Sequence, residues 1–296
     1  MPDITDLETF VAVAETGGIS AAARRLGLPK SIVSRRLVRL EDQLGTQLLA
    51  RTTRGAALTE AGSTFHEHAV RVCAEMEAAC ESLSPGGEAR GLLRIAAPLS
   101  FGTTHLAPVL AELAHRNPQL QVHAVYSDRF ADLVSEGFDA AIRVGYLPDS
   151  NLVARRIGPI HGKIVASPTY LRAHGAPQTP ADLLAHEVLM QGTEAWRLLD
   201  SGKVVVLHPR GRFKADNGQA LTAAAVAGLG LAILPDFLTD EHIISGALVA
   251  VLSNYPVPGA GIFVVRPPGN HPPRKVKLLT ELLVERFGGP DRSQPP

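Results

Sequence analysis

Near the start of the chain, three short helical stretches separated by glycines and a proline constrain the fold more than any other feature. Leu7, Phe10, Val11 and Ala14 recur at helical spacing until Gly17-Gly18 ends the run. Ser20 is placed to cap a second short helix, 21–26, whose alanines permit close packing against a neighbour. Gly27 supplies a turn, and Pro29 suits the first turn of a third helix. In that helix Val33, Leu37 and Leu40 form one apolar stripe that faces a core. Lys30, Ser31, Ser34 and Arg35 fall on the opposite side. A helix with a packed back and this front fits a major groove, because Arg or Lys pairs with guanine O6/N7 and serine serves as donor or acceptor.

Charge is distributed in keeping with that reading. The 296 residues hold 29 Lys+Arg and 29 Asp+Glu, yet residues 1–23 carry four acids and no base. Residues 24–54 carry eight bases (Arg24, Arg25, Lys30, Arg35, Arg36, Arg39, Arg51, Arg54) against Glu41 and Asp42, a surplus of six. Such a block can neutralise several phosphates while the rest of the chain supplies the compensating acid. A solvated helix face is the other reading of the same charges.

The run from Gly18 through Ser20-Ala21-Ala22-Ala23-Arg24-Arg25-Leu26-Gly27 and Pro29-Lys30-Ser31-Ile32-Val33-Ser34-Arg35-Arg36-Leu37 to Leu40-Glu41 resembles the winged helix-turn-helix of LysR-type transcriptional regulators. It continues into Leu44-Gly45, Leu48-Leu49-Ala50-Arg51-Thr52-Thr53-Arg54 and Leu58-Thr59-Glu60-Ala61-Gly62, similar to that family's wing and the entry to its linker helix. Two departures stand out: Pro29 replaces the usual capping serine, and Leu49 replaces a frequent phenylalanine. The resemblance implies that Lys30, Ser31, Ser34 and Arg35 read bases, and that Ser20, Arg36, Arg51 and Arg54 lie near phosphate. Arg24, Arg25 and Arg39 are expected to face solvent or form ion pairs, because the charge run is broader than one groove.

Phe65, Ala69, Val72, Met76, Ala79 and Leu83 are spaced alternately four and three apart, an a/d seam of nearly three heptads. Packing on the chain's own domain is the competing explanation, and the resemblance favours a dimerising linker helix. Paired recognition helices would then read half-sites roughly 34 Å apart. Cys73 and Cys80, seven residues apart, are expected to be inert, with an interchain redox pair as the alternative. His66-Glu67-His68 puts its histidines on different helix faces and reads as surface, not as a metal site.

Ser84-Pro85-Gly86-Gly87-Glu88 reads as a linker. Beyond it, strands are expected at 92–97, 120–125, 140–144, 164–166, 204–207 and 262–265, and helices at 106–115, 131–136, 218–227 and 275–287. The alternation predicts α/β sheets with largely parallel strands and ligands beyond the strands' carboxyl ends. By resemblance this is an effector domain of two α/β lobes similar to periplasmic solute-binding proteins. The expected organisation is a helical, winged helix-turn-helix domain over 1–62, a dimerising helix over 63–84, a hinge over 85–90 and the effector domain over 91–296. Lobe I would take about 91–160 and 267–290, and lobe II about 161–266.

Ser100 and Thr103, with Phe101 between them, stand where hydroxyls meet free backbone N–H groups, a setting suited to a carboxylate or other anion. Arg143, at the end of a strand, either pairs with an acidic effector or holds an interlobe ion pair. Tyr126-Ser127-Asp128-Arg129 is expected to wall the same cleft. Asn217 either caps the following helix or points inward. Gly228-Leu229-Gly230 ends a helix and so is not a dinucleotide fingerprint.

The expected partners are double-stranded DNA, a small and anionic effector, and a second or further copy of the chain as homodimer or homotetramer. No cofactor, metal, catalytic group or membrane partner is expected. The first residues lack a signal-peptide pattern, two cysteines make no disulfide framework, and the uncharged stretch 217–235 is broken by polar residues and glycines, which together favour the cytoplasm. The rival reading is an α/β hydrolase or transferase with a helical appendage. It lacks a Gly-x-Ser-x-Gly elbow, a phosphate loop and a metal constellation. An exported solute-binding protein would need no basic helix.

Overall fold

Glycine punctuation sets the first domain: α1 (Ile4–Thr16), α2 (Ile19–Leu26) and α3 (Lys30–Leu44) each end on a glycine in the left-handed region, Gly17, Gly27 and Gly45 at φ 71, 64 and 65°. This computed structural model describes residues 2–52, 55–82, 89–147, 149–192, 195–269 and 271–289. Phe10, Val13, Val33, Leu37 and Leu40 form the centre of the three-helix core. After α3, β1 (Leu49–Thr52) and β2 (Gly55–Leu58) make an antiparallel wing. Glu41 of α3 aims that wing by accepting the N–H groups of Leu48 and Leu49 at 2.8 and 3.1 Å.

The long helix α4 (Glu60–Ser82) follows, with the Thr59 hydroxyl accepting the Gly62 N–H at 2.9 Å. A Cβ on Gly62 would lie 1.9 Å from the Leu48 carbonyl oxygen, so the helix can approach the wing this closely only at glycine. The first turns of α4 close the three-helix core. Phe65 meets Phe10 at 5.6 Å between ring centres, and Ala69 is 1% exposed.

Lobe I begins with β3 (Gly91–Ala97), α5 (Leu99–Phe101), a π-helical turn (Gly102–Leu106), α6 (Ala107–Arg116), β4 (Leu120–Tyr126), β5 (Ala140–Gly145) and β6 (Val153–Ile160). Lobe II holds β7 (Gly162–Ala166), α7 (Pro168–His174), a 3-10 turn (Pro180–Ala185), β8 (Val188–Met190), β9 (Trp196–Asp200), β10 (Lys203–Leu207), β11 (Phe213–Lys214), α8 (Gly218–Val226), β12 (Leu231–Pro235), α9 (Asp236–Ile244) and β13 (Val249–Val251). The chain then returns to lobe I with β14 (Ala260–Arg266) and α10 (Arg274–Phe287). Sheet orders are β4-β3-β5-β14-β6 and β11-β8-β12-β7-β13, with β9 and β10 as a separate hairpin. Leu93, Ile95, Ile142 and Val264 pack beneath Leu110, Leu113, Leu279 and Leu283 in lobe I.

Several expectations change. The sheets are mixed, not largely parallel: β14 runs antiparallel to β5 and β6, and β7 runs antiparallel to β12 and β13. β14, expected in lobe II, is hydrogen-bonded into the lobe I sheet, because the chain crosses back before that strand and not after it. Residues 131–136 form no helix. There Asp132 accepts the N–H groups of Val134 and Ser135, and such side-chain bonds compete with a helical ladder. Helix α2 starts at Ile19 with Gly18 in the capping position, so Ser20 is an exposed residue of its first turn and not its cap. The uncharged stretch 217–235 divides into α8 and β12, and among the described residues no helix is long and apolar enough to cross a membrane.

Candidate functional site

On α3, whose packed back is Val33, Leu37 and Leu40, Ser31 and Arg35 are exposed away from that stripe, Ser34 is half-buried beside them, and Lys30 is exposed at the first turn. Pro29 occupies the capping position of α3 without a side-chain bond, so the first N–H groups of the helix receive no hydroxyl from it. Arg36 leans the other way, its Nη1 3.3 Å from the Thr9 hydroxyl and 3.5 Å from the Thr5 carbonyl. Arg51 lies on β1 opposite Ala56, and Arg54 lies outside the described residues.

Two of the remaining bases are ion-paired. Arg39 grips Asp6 by two parallel bonds, Nε to Oδ2 at 2.7 Å and Nη2 to Oδ1 at 2.5 Å, and the Asp6 side chain is fully buried. Arg25 donates to Glu15 at 2.5 Å. Glu15 also meets Arg94 of β3 at 3.3 Å, which ties the first domain to lobe I. Arg24 is exposed.

The seam on α4 divides into unlike halves. Phe65 and Ala69 belong to the chain's own core and present little to a partner, whereas Val72 and Met76 are each 50% exposed. Leu83 lies outside the described residues, and Cys73 packs against the same core as Phe65. His66, expected on the surface, is buried edge-on against Phe10, because α4 docks on α1 through this turn; His68, two residues on, is exposed.

Between the lobes lies a cleft of about 240 Å³. Ser100 and Phe101 line it from lobe I, and Gly218, Ile233, Phe237 and Leu238 from lobe II. Asp128, Tyr146 and Gln191 add polar groups at its edges. Burial pushes the Tyr146 hydroxyl up, with nearby Arg197 acting against the shift. Among the described residues that line the cleft none is Lys, Arg or His.

The other residues expected here are placed elsewhere. Thr103 is exposed and gives its hydroxyl to the Leu99 carbonyl at 3.0 Å. Tyr126 packs over Gly102, where an added Cβ would fall 2.2 Å from its ring. Arg129 is exposed and paired with Glu136 at 2.7 Å. Arg143 lies 4.3 Å from the centre of the Phe130 ring and donates to the Ala131 carbonyl at 3.1 Å; it does not line the cleft, and among the described residues it has no interlobe ion pair. Asn217 does both things asked of it: Oδ1 caps α8 by accepting the Ala220 N–H at 3.1 Å, and Nδ2 reaches Asp128 at 2.6 Å. Tyr146, Gln191 and Phe237 were not singled out in the sequence. Tyr146 directly follows β5, so the rule that ligands bind past strand ends would have found it.

Phe101 joins the cleft to a ring cluster with Phe237, Phe287 and His105 at centre distances of 5.4, 5.5 and 5.2 Å. His105 and His66 are both held below the ordinary 6.5, chiefly by burial. Asp236 and Glu241 oppose the shift at His105; at His66, Glu15 and Glu67 oppose it while Arg94 adds to it. A histidine lowered by folding takes its proton more readily in the unfolded chain. Stability is therefore greatest above about pH 6.5 and falls as pH drops below it. Thermal melts between about pH 7.5 and 5.5 should show this decline. His105→Phe should reduce it for the effector domain; a melting temperature that rises on acidification would contradict the assignment.

A helix-turn-helix with an exposed basic front, carried beside a two-lobed domain with a cleft, defines a ligand-responsive DNA-binding regulator. Residues 4–63 match the family described as bacterial regulatory helix-turn-helix protein, lysR family, and residues 86–288 match the LysR substrate binding domain. The chain belongs to the LysR family of transcriptional regulators, and it is a DNA-binding regulator and not an enzyme. It is 35% identical to the HTH-type transcriptional regulator PtxR of Pseudomonas aeruginosa, over 97% of this chain and 93% of that protein. It is 36% identical to the regulator CrgA of Neisseria meningitidis, over 84% of each. Among solved structures, full-length AphB of Vibrio cholerae superposes with a TM-score of 0.59 at 30% identity, covering 96% of this chain and 99% of that one. CrgA of Neisseria meningitidis gives 0.59 at 32%, with the same coverage. Regulators of this family bind DNA and small-molecule effectors and form oligomers.

Proposed function

We propose that this regulator acts in the cytoplasm as a homodimer or homotetramer on a partly palindromic operator, with a small molecule in the interlobe cleft altering how the DNA-bound copies are arranged. The observation that carries the reading is the α3 front, where Lys30, Ser31 and Arg35 are exposed over a fully packed back. Lys30, Ser31, Ser34 and Arg35 then read base edges, and Ser20, Arg36, Arg51 and Arg54 approach phosphate. Val72, Met76 and Leu83 pair between copies, while Phe65 and Ala69 hold α4 to its own domain. In the cleft, Ser100 and Phe101 keep their expected role, joined by Asp128, Tyr146, Gln191 and Phe237.

The expectation of an anionic effector loses the support of Arg143, which lies against Phe130 and does not line the cleft, and of Thr103, whose hydroxyl is given to the Leu99 carbonyl. Genomic footprinting of the bound protein, followed by binding to the recovered sites, tests the proposal. The expected footprint holds two related half-sites about one helical turn apart. Protection that ignores sequence would sink it.

A further inference from the structure

Asp128 follows β4 and spans the cleft. Its Oδ1 accepts the Leu99 N–H at 3.0 Å from lobe I, and its Oδ2 accepts Asn217 Nδ2 at 2.6 Å from lobe II. Asn217 is itself fixed by capping α8, so its amide is held toward the carboxylate and not left to turn. Leu99 N–H and the Asn217 amide, two donors that a carboxylate at this edge of the cleft would need, both already serve one that belongs to the chain and lines the cleft. We propose that Asp128 is a tethered occupant of the anion position, so that the cleft excludes carboxylates and takes a compact apolar molecule bearing an ammonium or other donor group.

This rests on the cleft being the effector site. A second carboxylate brought to the same donors would meet Asp128 at hydrogen-bond distance, where the two like charges repel. No described lining residue is a base that would offset the repulsion; Arg197 acts on Tyr146 but does not line the cleft. An ammonium in the same place gains a charge-assisted bond to Asp128, while Phe101, Ile233, Phe237 and Leu238 enclose an apolar body.

Benzylamine, benzyl alcohol and benzoate share one ring and differ in headgroup, so calorimetric titration of the full chain with each near neutral pH reads the selectivity directly. Benzylamine should bind wild type about tenfold or more tighter than benzoate, the worth of one hydrogen bond to a charged group. Asp128→Ala frees Leu99 N–H and the Asn217 amide, and should reverse the order by gaining benzoate and losing benzylamine. A gain of binding cannot arise from misfolding. Asp128→Asn keeps the shape and an acceptor, and should level the three.

Benzoate binding wild type as tightly as benzylamine overturns the proposal, as does an unchanged order in Asp128→Ala or no saturable binding of any probe to wild type. Failure of the regulatory reading shows separately: benzylamine would bind with the stated selectivity and leave operator affinity and DNA bending unchanged.

Discussion

Replacing Arg35 by alanine lowers operator affinity by about 1–3 kcal/mol, an effect confined to one base position and nearly absent on random DNA. Arg35 is exposed on the front of α3, and the buried stripe of Val33, Leu37 and Leu40 fixes which way that front faces. Arg54→Ala should instead weaken all sequences alike and flatten the salt slope by about one unit, as expected of a phosphate contact. Arg39→Ala makes a third class. Its partner Asp6 is buried, so its loss lowers the melting temperature of the first domain without a base-specific signature. Binding series over salt on operator and random DNA separate the three, and equal losses on both DNAs would remove Arg35 from base reading.

Lys275→Met destabilises the effector domain by about 3–5 kcal/mol, the cost of leaving a sheltered carboxylate without its partner. Lys275 of α10 is 5% exposed, and its ammonium donates to the Leu92 carbonyl at 2.7 Å and to Asp139 at 2.9 Å. The other oxygen of Asp139 accepts the Arg94 N–H at 2.7 Å, so the pair fastens α10 to β3 and to the turn before β5. Adding Asp139→Asn removes the stranded charge and should recover part of the loss. Chemical denaturation of the three variants measures it. A loss below about 1 kcal/mol would mean that water reaches the pair and solvates Asp139 unaided.

The first domain was the more legible because its signals are local. Helical spacing, the glycine stops at Gly17-Gly18 and Gly27 and the stripe at Val33, Leu37 and Leu40 lie within one stretch of chain, and the structure has each where the sequence places it. Ser20 was misread because two adjacent glycines left the start of α2 open by two residues. His66 was misread because α4 does two jobs: its first turns finish a core whose other members lie in the three helices and the wing, a contact that spacing along α4 does not reveal. In the lobes, β6 was missed because its first half is exposed and carries Arg155 and Arg156, and β12 because it continues an uncharged stretch begun by α8. Strand direction is set by pairing between distant segments, as between β14 and β5, so local alternation gave the layers and not their sense. The cleft is legible for a sound reason, since Ser100 and Asp128 both follow strands. Its charge is not, because that depends on which partner each polar group has already found.

Asp6 and Glu15 also bear on how the protein answers to ionic strength. Of the eight bases between residues 24 and 54, Arg39 and Arg25 are neutralised by these two sheltered acids and hold few counterions to release when DNA arrives. The six that remain cap the slope of log affinity against log salt at about −5 per protomer. Glu15 and Arg94 are 12% and 21% exposed, so their link between the domains is screened far less than a contact to phosphate in open solvent. Added salt should therefore strip the regulator from DNA while the two halves of each protomer stay fastened, and the slope then counts phosphates alone.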